Sequence, residues 1–278
     1  MKRILSLSLI LVCLFSFTSC KKEKNDDVPS STSATATQSL TVTLTFPEGY
    51  TVKEIAELLE SEGVCSAKRF IALSNNITIV NALGYSFTAG ITEADKRPFA
   101  LEGYIFPDTY EFYRGEGAEA ALRRFLDNTE QKLSAQYKQK ATELGYTIDE
   151  ILTLASIIQE ESSEHKHMTN VSSVLHNRLS DTYSRLECDV TIHYINNNVK
   201  NSPYITADAD TVSQSYDTYE CDALPLGPIC NPGTHAIEAA LYPAETDYFF
   251  FVTDADWNYY FNETWEAHDA KCRELGIY

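Results

Sequence analysis

The order of apolar and polar positions predicts a small strand–helix–helix–strand module near the start of the folded chain. Residues 40–46 alternate polar and apolar side chains, which is typical of a strand with one buried face. Thr51 and Glu54 follow with the spacing of a capping box, so a helix is predicted to begin there. A second helix over residues 66–73 and a strand over residues 101–112, rich in aromatic side chains, complete the module.

The rest of the chain is predicted to be mainly helical, with a small sheet near its end. Apolar residues recur at helical spacing in five segments: residues 118–144, the segment that begins after Thr147, residues 168–179, the segment between Thr234 and Pro243, and residues 264–275. Residues 248–262 are predicted to form a β-hairpin, and the polar residues 196–215 a loop. This pattern predicts an α+β fold, with the module at residues 40–112 and a larger mixed α+β domain at residues 113–278.

Two adjacent glutamates end the helix that begins after Thr147. Glu161 follows Leu154 and Ile158 by seven and three positions, so it continues an apolar stripe, whereas Glu160 continues a polar side and is expected to face water. Burial on an apolar stripe raises the pKa of a carboxyl towards neutrality, as a general acid working near pH 7 requires. The alternative is a helix that frays after Ile158 and leaves both glutamates solvated.

The first residues predict an export signal with a lipid anchor. Two basic residues precede a short apolar run at residues 4–17, and small residues stand before Cys20. The run is shorter than the roughly 20 apolar residues that a spanning helix needs. It resembles a bacterial lipoprotein signal, in which residues 1–19 are removed and Cys20 carries the lipid. Residues 20–39 are then a flexible tether. An ordinary cleaved signal peptide and a short uncleaved anchor are the alternatives.

The charge balance argues against one class of partner. The chain has 22 Lys and Arg against 40 Asp and Glu, a net charge of −18. Proteins that bind nucleic acids through phosphates carry the opposite charge, so no nucleic-acid partner is expected. His165, Lys166 and His167 have no further ligands at the spacing of a metal site. We expect a solvated loop between two helices there.

Five cysteines remain in the folded part of the chain once Cys13 and Cys20 are set aside: Cys65, Cys188, Cys221, Cys230 and Cys272. They form no CxxC pair and no Cys/His ligand spacing, so a zinc site is not expected. Cys221 and Cys230 flank a turn rich in Pro and Gly, which makes them one candidate pair for a disulfide. Cys188 is an equally available partner, and unpaired buried thiols are the alternative.

Six segments carry a resemblance to a known family, and they occur in this order: LEGYIFPDTY, ASIIQEE, NRL, LECDVTIHY, YDTY with LPLGPICNPG, and AIEAALYPAETDYFFFV. Together they resemble the endolytic murein transglycosylase family (YceG-like) over residues 40–272. The resemblance implies that the module is LysM-like, a βααβ unit that binds peptidoglycan, and that the domain after it is catalytic. The family's catalytic glutamate lies in a pattern A-S-I-(V/I)-x-x-E, which corresponds to Glu161. Glu161 is also the residue that continues the apolar stripe of the helix.

The resemblance implies a lytic transglycosylase that cleaves the β-1,4 bond between MurNAc and GlcNAc in peptidoglycan glycan strands. Glu161 would protonate the glycosidic oxygen and then accept the proton of the C6 hydroxyl as that oxygen attacks C1. The product is a 1,6-anhydro-MurNAc end, and no metal or cofactor is implied. The protein would act in cell-wall assembly or remodelling, anchored by its lipid in the bacterial envelope and facing the periplasm.

Five residues are predicted to orient the sugar: Asn177, Asp189, Tyr216, Thr218 and Asn231. Each has an alternative role as a cap, a turn residue or a partner of a buried backbone group. The family's L-Q-(S/T)-D-P-T is LECDVT here, which keeps Asp189 and changes its neighbours. Two other interpretations remain open. One is a muramidase-type hydrolase with Asp189 as second carboxylate; the other is a non-catalytic peptidoglycan-binding lipoprotein in which Glu161 is only paired in the core.

Overall fold

The described part of the chain begins just before the first predicted strand. The computed structural model describes residues 39–162, 164–180, 185–200, 202–205 and 208–277. The predicted signal peptide, the predicted lipidation site Cys20 and the tether up to residue 38 lie outside these residues. Within the described residues, no helix combines the length and apolar character needed to cross a bilayer.

The elements confirm an α+β fold in which helices predominate. The first half comprises β1 (Thr41–Thr45), α1 (Val52–Ser61), α2 (Ala67–Ser74), α3 (Ile77–Ala82), β2 (Thr109–Tyr113), α4 (Ala118–Lys132) and α5 (Ala135–Leu144). The second half comprises α6 (Ile148–Glu161), α7 (His165–Ser180), α8 (Asp189–Tyr194), a π-helical turn (Ile195–Lys200), α9 (Ala209–Tyr216), α10 (Thr234–Leu241), β3 (Phe250–Thr253), β4 (Tyr259–Asn262) and α11 (Trp265–Leu275). The predicted hairpin and closing helix are confirmed.

The first module has the predicted order of elements, with α3 in addition. β1 and β2 pair antiparallel, with Thr41 opposite Tyr113 and Thr45 opposite Thr109. The capping box at Thr51 is confirmed, because the Thr51 hydroxyl accepts the Glu54 N–H and the Glu54 carboxylate accepts the Thr51 N–H. This cap fixes the start of α1 directly after the turn that follows β1.

The second strand of the module is shorter than the predicted 101–112. Residues 101–108 form turns, and only Thr109–Tyr113 pairs with β1. Gly103 has a φ of +85°, a left-handed conformation that interrupts an extended chain. The aromatic side chains that suggested a strand, Tyr104 and Phe106, are buried in the core. Aromatic side chains are abundant in this segment because it is buried. Here the buried backbone forms turns and not a strand.

The predicted helix 118–144 is two helices. Leu133 leaves the helical conformation with a ψ of 69°, and Ser134 starts α5 by accepting the Tyr137 N–H at 3.2 Å. Both helices carry apolar residues at the same spacing, so the apolar pattern continues across the break. A serine can cap a new helix without the Gly or Pro that normally signals an interruption.

Two segments predicted as loops contain helical residues. Residues 196–215 contain the π-helical turn and α9, which Asp208 caps by accepting the Asp210 N–H at 3.2 Å. α9 buries Val212 and Tyr216 and is otherwise polar, so its apolar stripe is too narrow to stand out in the sequence. His165 and Lys166 are exposed, as predicted, but the segment from His165 to His167 is the first turn of α7 and not a loop.

Helix α6 runs through the core and carries Glu161 at its end. Thr147 caps it through the predicted capping box. Every residue from 151 to 158 is buried, and each fully buried Leu or Ile stabilises the fold by about 1.5–3 kcal/mol. The Ser162 N–H still donates to the Ile158 carbonyl at 3.0 Å. The helix therefore does not fray after Ile158, and the helical backbone fixes the position of Glu161.

The described residues from Ser39 onward group as one compact unit by their contacts. α6 packs against α5, α7, α8 and α10, and α2 packs against α4. The strand β2 extends to Tyr113, so pairing within the module runs through the predicted boundary at residue 112. The division into a module and a catalytic domain stays a prediction.

Candidate active site

Glu161, the last residue of α6, has the environment of a general acid. Its side chain is half-buried. The pKa of Glu161 is raised to about 7, first by burial and then by the negative charge of Asp189, against the opposing effects of the Cys188 thiol and the Arg178 guanidinium. A carboxyl that titrates near neutrality can be protonated at physiological pH and can also accept a proton later. The apolar stripe predicted this direction of shift.

The backbone of Glu161 is held by the hairpin. The Tyr259 hydroxyl donates to the Glu161 carbonyl at 2.7 Å, across 98 positions of the sequence. The Tyr259 ring in turn stacks on His167 at a centroid distance of 4.4 Å. The end of α6 is therefore fixed from two sides, by its own helix and by β4.

Asp189 begins α8 and is exposed beside Glu161. Its carboxylate accepts the Tyr219 hydroxyl at 2.7 Å. The preceding residue, Cys188, is buried, and Thr218 accepts its N–H at 2.9 Å. Thr191 donates to the Cys188 carbonyl at 2.8 Å. These contacts fix the short segment that brings Asp189 to Glu161.

Arg178 connects this segment to the hairpin. Its Nε donates to the Phe249 carbonyl at 2.8 Å, and its Nη1 donates to the Leu186 carbonyl at 2.5 Å. The guanidinium lies over the Phe250 ring, 5.3 Å from the centroid. One nearly buried cation thus holds both walls of the site, and its positive charge partly offsets the rise in the pKa of Glu161.

The other predicted sugar-orienting residues have structural roles. Tyr216, Thr218 and Asn231 have no exposed surface in this structure, and their role in orienting the sugar stays a prediction. Thr218 holds Cys188, and Asn231 accepts the Ile105 N–H at 2.8 Å while donating to the Tyr50 carbonyl at 2.8 Å. Asparagine and threonine in turn-rich motifs satisfy buried backbone groups, the alternative that the sequence left open.

Asn177 is half-buried and also bonds backbone. Its amide nitrogen donates to the Thr246 carbonyl at 2.8 Å and to the Tyr248 carbonyl at 2.9 Å. These two bonds position the extended segment that leads into β3. Of the five predicted residues, Asp189 is the one whose charge acts on Glu161.

Glu160 lies on the opposite side of the helix end, at a polar cleft of about 410 Å³. It is exposed, as predicted. Burial nevertheless raises its pKa, because the surrounding walls of the cleft displace part of its water. Gly49 forms part of this wall, and a β-carbon there would lie 2.8 Å from a Glu160 carboxylate oxygen. The two glutamates therefore occupy separate surroundings.

The five cysteines of the described residues are free thiols. Neither candidate disulfide, Cys221 with Cys230 or either of them with Cys188, is formed. Cys188 and Cys230 are buried, and burial raises the pKa of both thiols well above the ordinary value. No group of three or more His, Cys, Asp or Glu side chains within the described residues has the arrangement of a metal site.

Arg178, Tyr219 and Tyr259 contribute to the site in ways that the sequence does not predict. Arg178 follows Asn177 in the NRL segment, and Tyr219 closes the YDTY segment, so both were inside quoted motifs without an assigned role. Their partners lie far away in sequence: Tyr219 is 30 positions from Asp189, and Arg178 is 71 positions from Phe249. No local pattern signals such a contact.

The geometry places a half-buried carboxyl with a raised pKa at the end of a core helix in an α+β fold. A profile of the YceG-like family matches residues 21–274 of this chain. The chain therefore belongs to the YceG-like family.

Named relatives agree with this assignment. The chain is 30% identical over 240 residues to the endolytic murein transglycosylase of Bacillus subtilis (strain 168), a match that covers 84% of this chain and 65% of that protein. It is 25% identical over 247 residues to the endolytic murein transglycosylase of Streptococcus pneumoniae serotype 2, covering 84% of this chain and 44% of that protein. The chain thus spans less than two thirds of the length of these relatives.

A solved structure shares the fold. The crystal structure of a YceG-like protein from Listeria monocytogenes superposes with a TM-score of 0.70 at 28% sequence identity. The match covers 82% of this chain and 75% of that chain.

Proposed function

We propose that the protein is a lytic transglycosylase that cleaves peptidoglycan glycan strands in the bacterial cell envelope. The observation that carries this proposal is Glu161, a half-buried carboxyl whose pKa is raised to about 7 at the end of a core helix. The relatives that match this chain are named endolytic murein transglycosylases, which supports the choice of substrate.

The proposed reaction uses Glu161 twice. As an acid, it gives its proton to the oxygen of the β-1,4 bond between MurNAc and GlcNAc as that bond breaks. As a base, it then takes the proton of the C6 hydroxyl, while the C6 oxygen bonds to C1. The product is a 1,6-anhydro-MurNAc end, and no water enters. A group whose pKa is near 7 suits both steps, since it must change its protonation state in each cycle.

Asp189 and its neighbours act on this carboxyl. The charge of Asp189 raises the pKa of Glu161, which favours the protonated acid. The same negative charge stabilises the positive charge that develops on the sugar as the bond breaks. Tyr219 holds the Asp189 carboxylate, and Arg178 holds the segment that carries it. We therefore assign Asp189 as the residue that acts electrostatically, with Tyr219 and Arg178 as positioning residues.

A hydrolase is the second candidate, because the charge of Asp189 raises the pKa of Glu161 and most glycosidases use a pair of carboxylates. In that reaction Asp189 would activate water or attack the sugar. The two candidates differ in whether an oxygen atom from water enters the product.

The test is digestion of purified sacculi in water enriched in heavy oxygen, with mass analysis of the released muropeptides. A transglycosylase yields anhydro ends, one water lighter than reducing ends, without the label. A hydrolase yields labelled reducing ends. Labelled reducing ends from the wild-type protein would refute the proposal, and absence of any product from folded protein that binds sacculi would favour a non-catalytic wall-binding protein.

Two finer proposals accompany this function. We propose that Cys20 carries a lipid that anchors the protein in the envelope, with the folded part facing the periplasm. We also propose that residues 40–112 form a LysM-like module that binds the glycan. The antiparallel pairing of β1 with β2, with α1 and α2 between them in sequence, supports the second proposal.

A further inference from the structure

The hairpin of β3 and β4 has two faces, and α11 covers one of them. The Phe250 ring lies 5.7 Å from the Trp265 ring. On the same face, the Lys271 ammonium group lies 4.8 Å from the centroid of the Tyr260 ring. Trp265 and Lys271 both belong to α11, so this face of the hairpin packs against α11.

The other face carries a row of aromatic rings. Side chains alternate along a strand, so Phe251, Tyr259 and Phe261 lie on the face opposite Phe250 and Tyr260. His167 from α7 and Tyr248 from the segment before β3 extend the set. We call these five side chains the aromatic row: His167, Tyr248, Phe251, Tyr259 and Phe261. All five are half-buried, so each retains surface that a ligand can cover.

Neighbouring rings of the aromatic row are inclined to one another by 18° to 41°. The centroids of His167 and Tyr259 lie 4.4 Å apart with 26° between the planes, and those of Tyr259 and Phe261 lie 6.0 Å apart with 18°. Tyr248 follows at 5.5 Å from Phe261 with 25°. Phe251, Tyr259 and Phe261 form a triangle with centroid distances of 6.0 Å, 6.0 Å and 6.4 Å, and His167 lies 6.5 Å from Phe261, so the rings form one compact cluster on this face.

The aromatic row leads to the candidate active site. The Tyr259 hydroxyl donates to the Glu161 carbonyl at 2.7 Å. Arg178 bonds the Phe249 carbonyl of the hairpin and the Leu186 carbonyl of the segment that leads to Asp189. The aromatic row therefore lies beside the end of α6 that carries Glu161.

We propose that the aromatic row is a subsite that binds pyranose rings of the glycan strand beside the bond that Glu161 cleaves. This inference rests on the proposed function. The faces of β-linked sugars present C–H groups, which pack on aromatic rings, while their hydroxyl edges remain in water. An apolar patch rimmed by polar residues is a typical binding surface, and aromatic rings provide contact area with little loss of side-chain freedom.

The test uses the Glu161→Gln variant as the parent, so that ligand is not consumed, and chitotetraose as a defined soluble glycan probe. Binding is measured by titration calorimetry for the parent and for the added changes Phe261→Leu and Phe251→Leu, which keep an apolar side chain and remove the ring. Tyr260→Leu is the matched control, because it removes a ring from the same strand on the face that α11 covers. Thermal melting and circular dichroism show which variants are folded.

We expect each ring change in the row to weaken binding by about three- to tenfold, in line with the energy of one aromatic contact. Tyr260→Leu should bind like the parent. Equal affinity in the parent and both row variants, equal weakening by Tyr260→Leu, or no binding by the parent would overturn the inference. Should Phe261→Leu fail to fold, Phe251→Leu decides alone. The release of anhydro ends from sacculi by the wild type tests the proposed function separately.

Discussion

Glu102 is a buried carboxyl whose ionisation makes stability depend on pH in an unusual direction. Its side chain has no exposed surface. One oxygen accepts the Val52 N–H at 2.8 Å and the Asn231 amide at 3.1 Å, and the other accepts the Tyr194 hydroxyl at 3.2 Å. Burial is the main cause that raises the pKa of Glu102 from its ordinary 4.5 to about 8, despite these bonds. The carboxyl is therefore neutral in the folded protein at pH 7.

The sign of the effect follows from the two states. Between pH 4.5 and pH 8 the folded chain keeps the proton of Glu102, whereas the unfolded chain has lost it. The folded state then binds more protons, so the free energy of unfolding falls as pH rises, and the loss is complete above pH 8. One pH unit corresponds to about 1.4 kcal/mol for one proton, so Glu102 lowers stability by about 2–3 kcal/mol between pH 5.5 and pH 7.5.

Glu102→Gln provides the test, because the amide is neutral at every pH and similar in size. Urea denaturation at pH 5.5 and pH 7.5 gives the free energy of unfolding of both proteins. The raised pKa values of Glu160 and Glu161 act in both and cancel in the difference. We expect the variant to gain about 2–3 kcal/mol relative to the wild type as pH rises over this range. Glu245→Gln, on an exposed side chain, should change stability equally at both pH values. A wild-type-minus-variant difference for Glu102→Gln that is independent of pH would refute the assignment of a neutral Glu102.

Three further predictions concern the site and the anchor. Activity, measured as kcat/KM, should fall as pH rises above the pKa of Glu161, which is about 7. Asp189→Asn removes a negative charge that raises this pKa, so the fall should move to lower pH. A pH profile that does not move would contradict the role given to Asp189. Glu160→Gln should leave turnover of sacculi nearly unchanged, since Glu160 is exposed on the other side of the helix end; a large loss would implicate the polar cleft. Cys20→Ala should release the protein into the soluble fraction or leave it unprocessed, and fractionation identical to the wild type would contradict the lipid anchor.

Local signals predicted the position of Glu161. The capping box at Thr147 fixes where α6 begins, and the period of 3.6 residues then determines which face each later residue occupies. Both pieces of information lie within 15 residues, so the sequence contains them. The raised pKa follows because the same stripe is buried in the structure.

The local sequence did not predict contacts between residues far apart in the chain, nor which polar residues are buried. The contact of Tyr259 with Glu161 joins residues 98 positions apart, and nothing local marks it. Tyr216, Thr218 and Asn231 are predicted to orient the sugar, and the structure shows that all three are buried, which the local sequence does not indicate. A polar residue that bonds buried backbone has the same local sequence as one that bonds a ligand, and only the three-dimensional packing separates the two roles.

The predicted boundaries of helices and strands were wrong where tertiary packing determines the backbone conformation. Residues 101–108 are rich in aromatic side chains because they are buried, yet their backbone forms turns. The break at Ser134 is also hidden, since the apolar spacing continues from α4 into α5. In both segments the apolar pattern indicates which side chains are buried. It does not indicate the backbone conformation that buries them.

The most direct test of the account is the turnover of sacculi by Glu161→Gln, with mass analysis of the products. The amide keeps the size of the side chain but cannot donate the proton that breaks the glycosidic bond, so release of 1,6-anhydro-MurNAc ends should fall by about 10²–10⁴-fold. The variant should still melt cooperatively and bind sacculi. Anhydro ends released by folded Glu161→Gln at the wild-type rate would contradict the assignment of Glu161 as the acid and base of this protein.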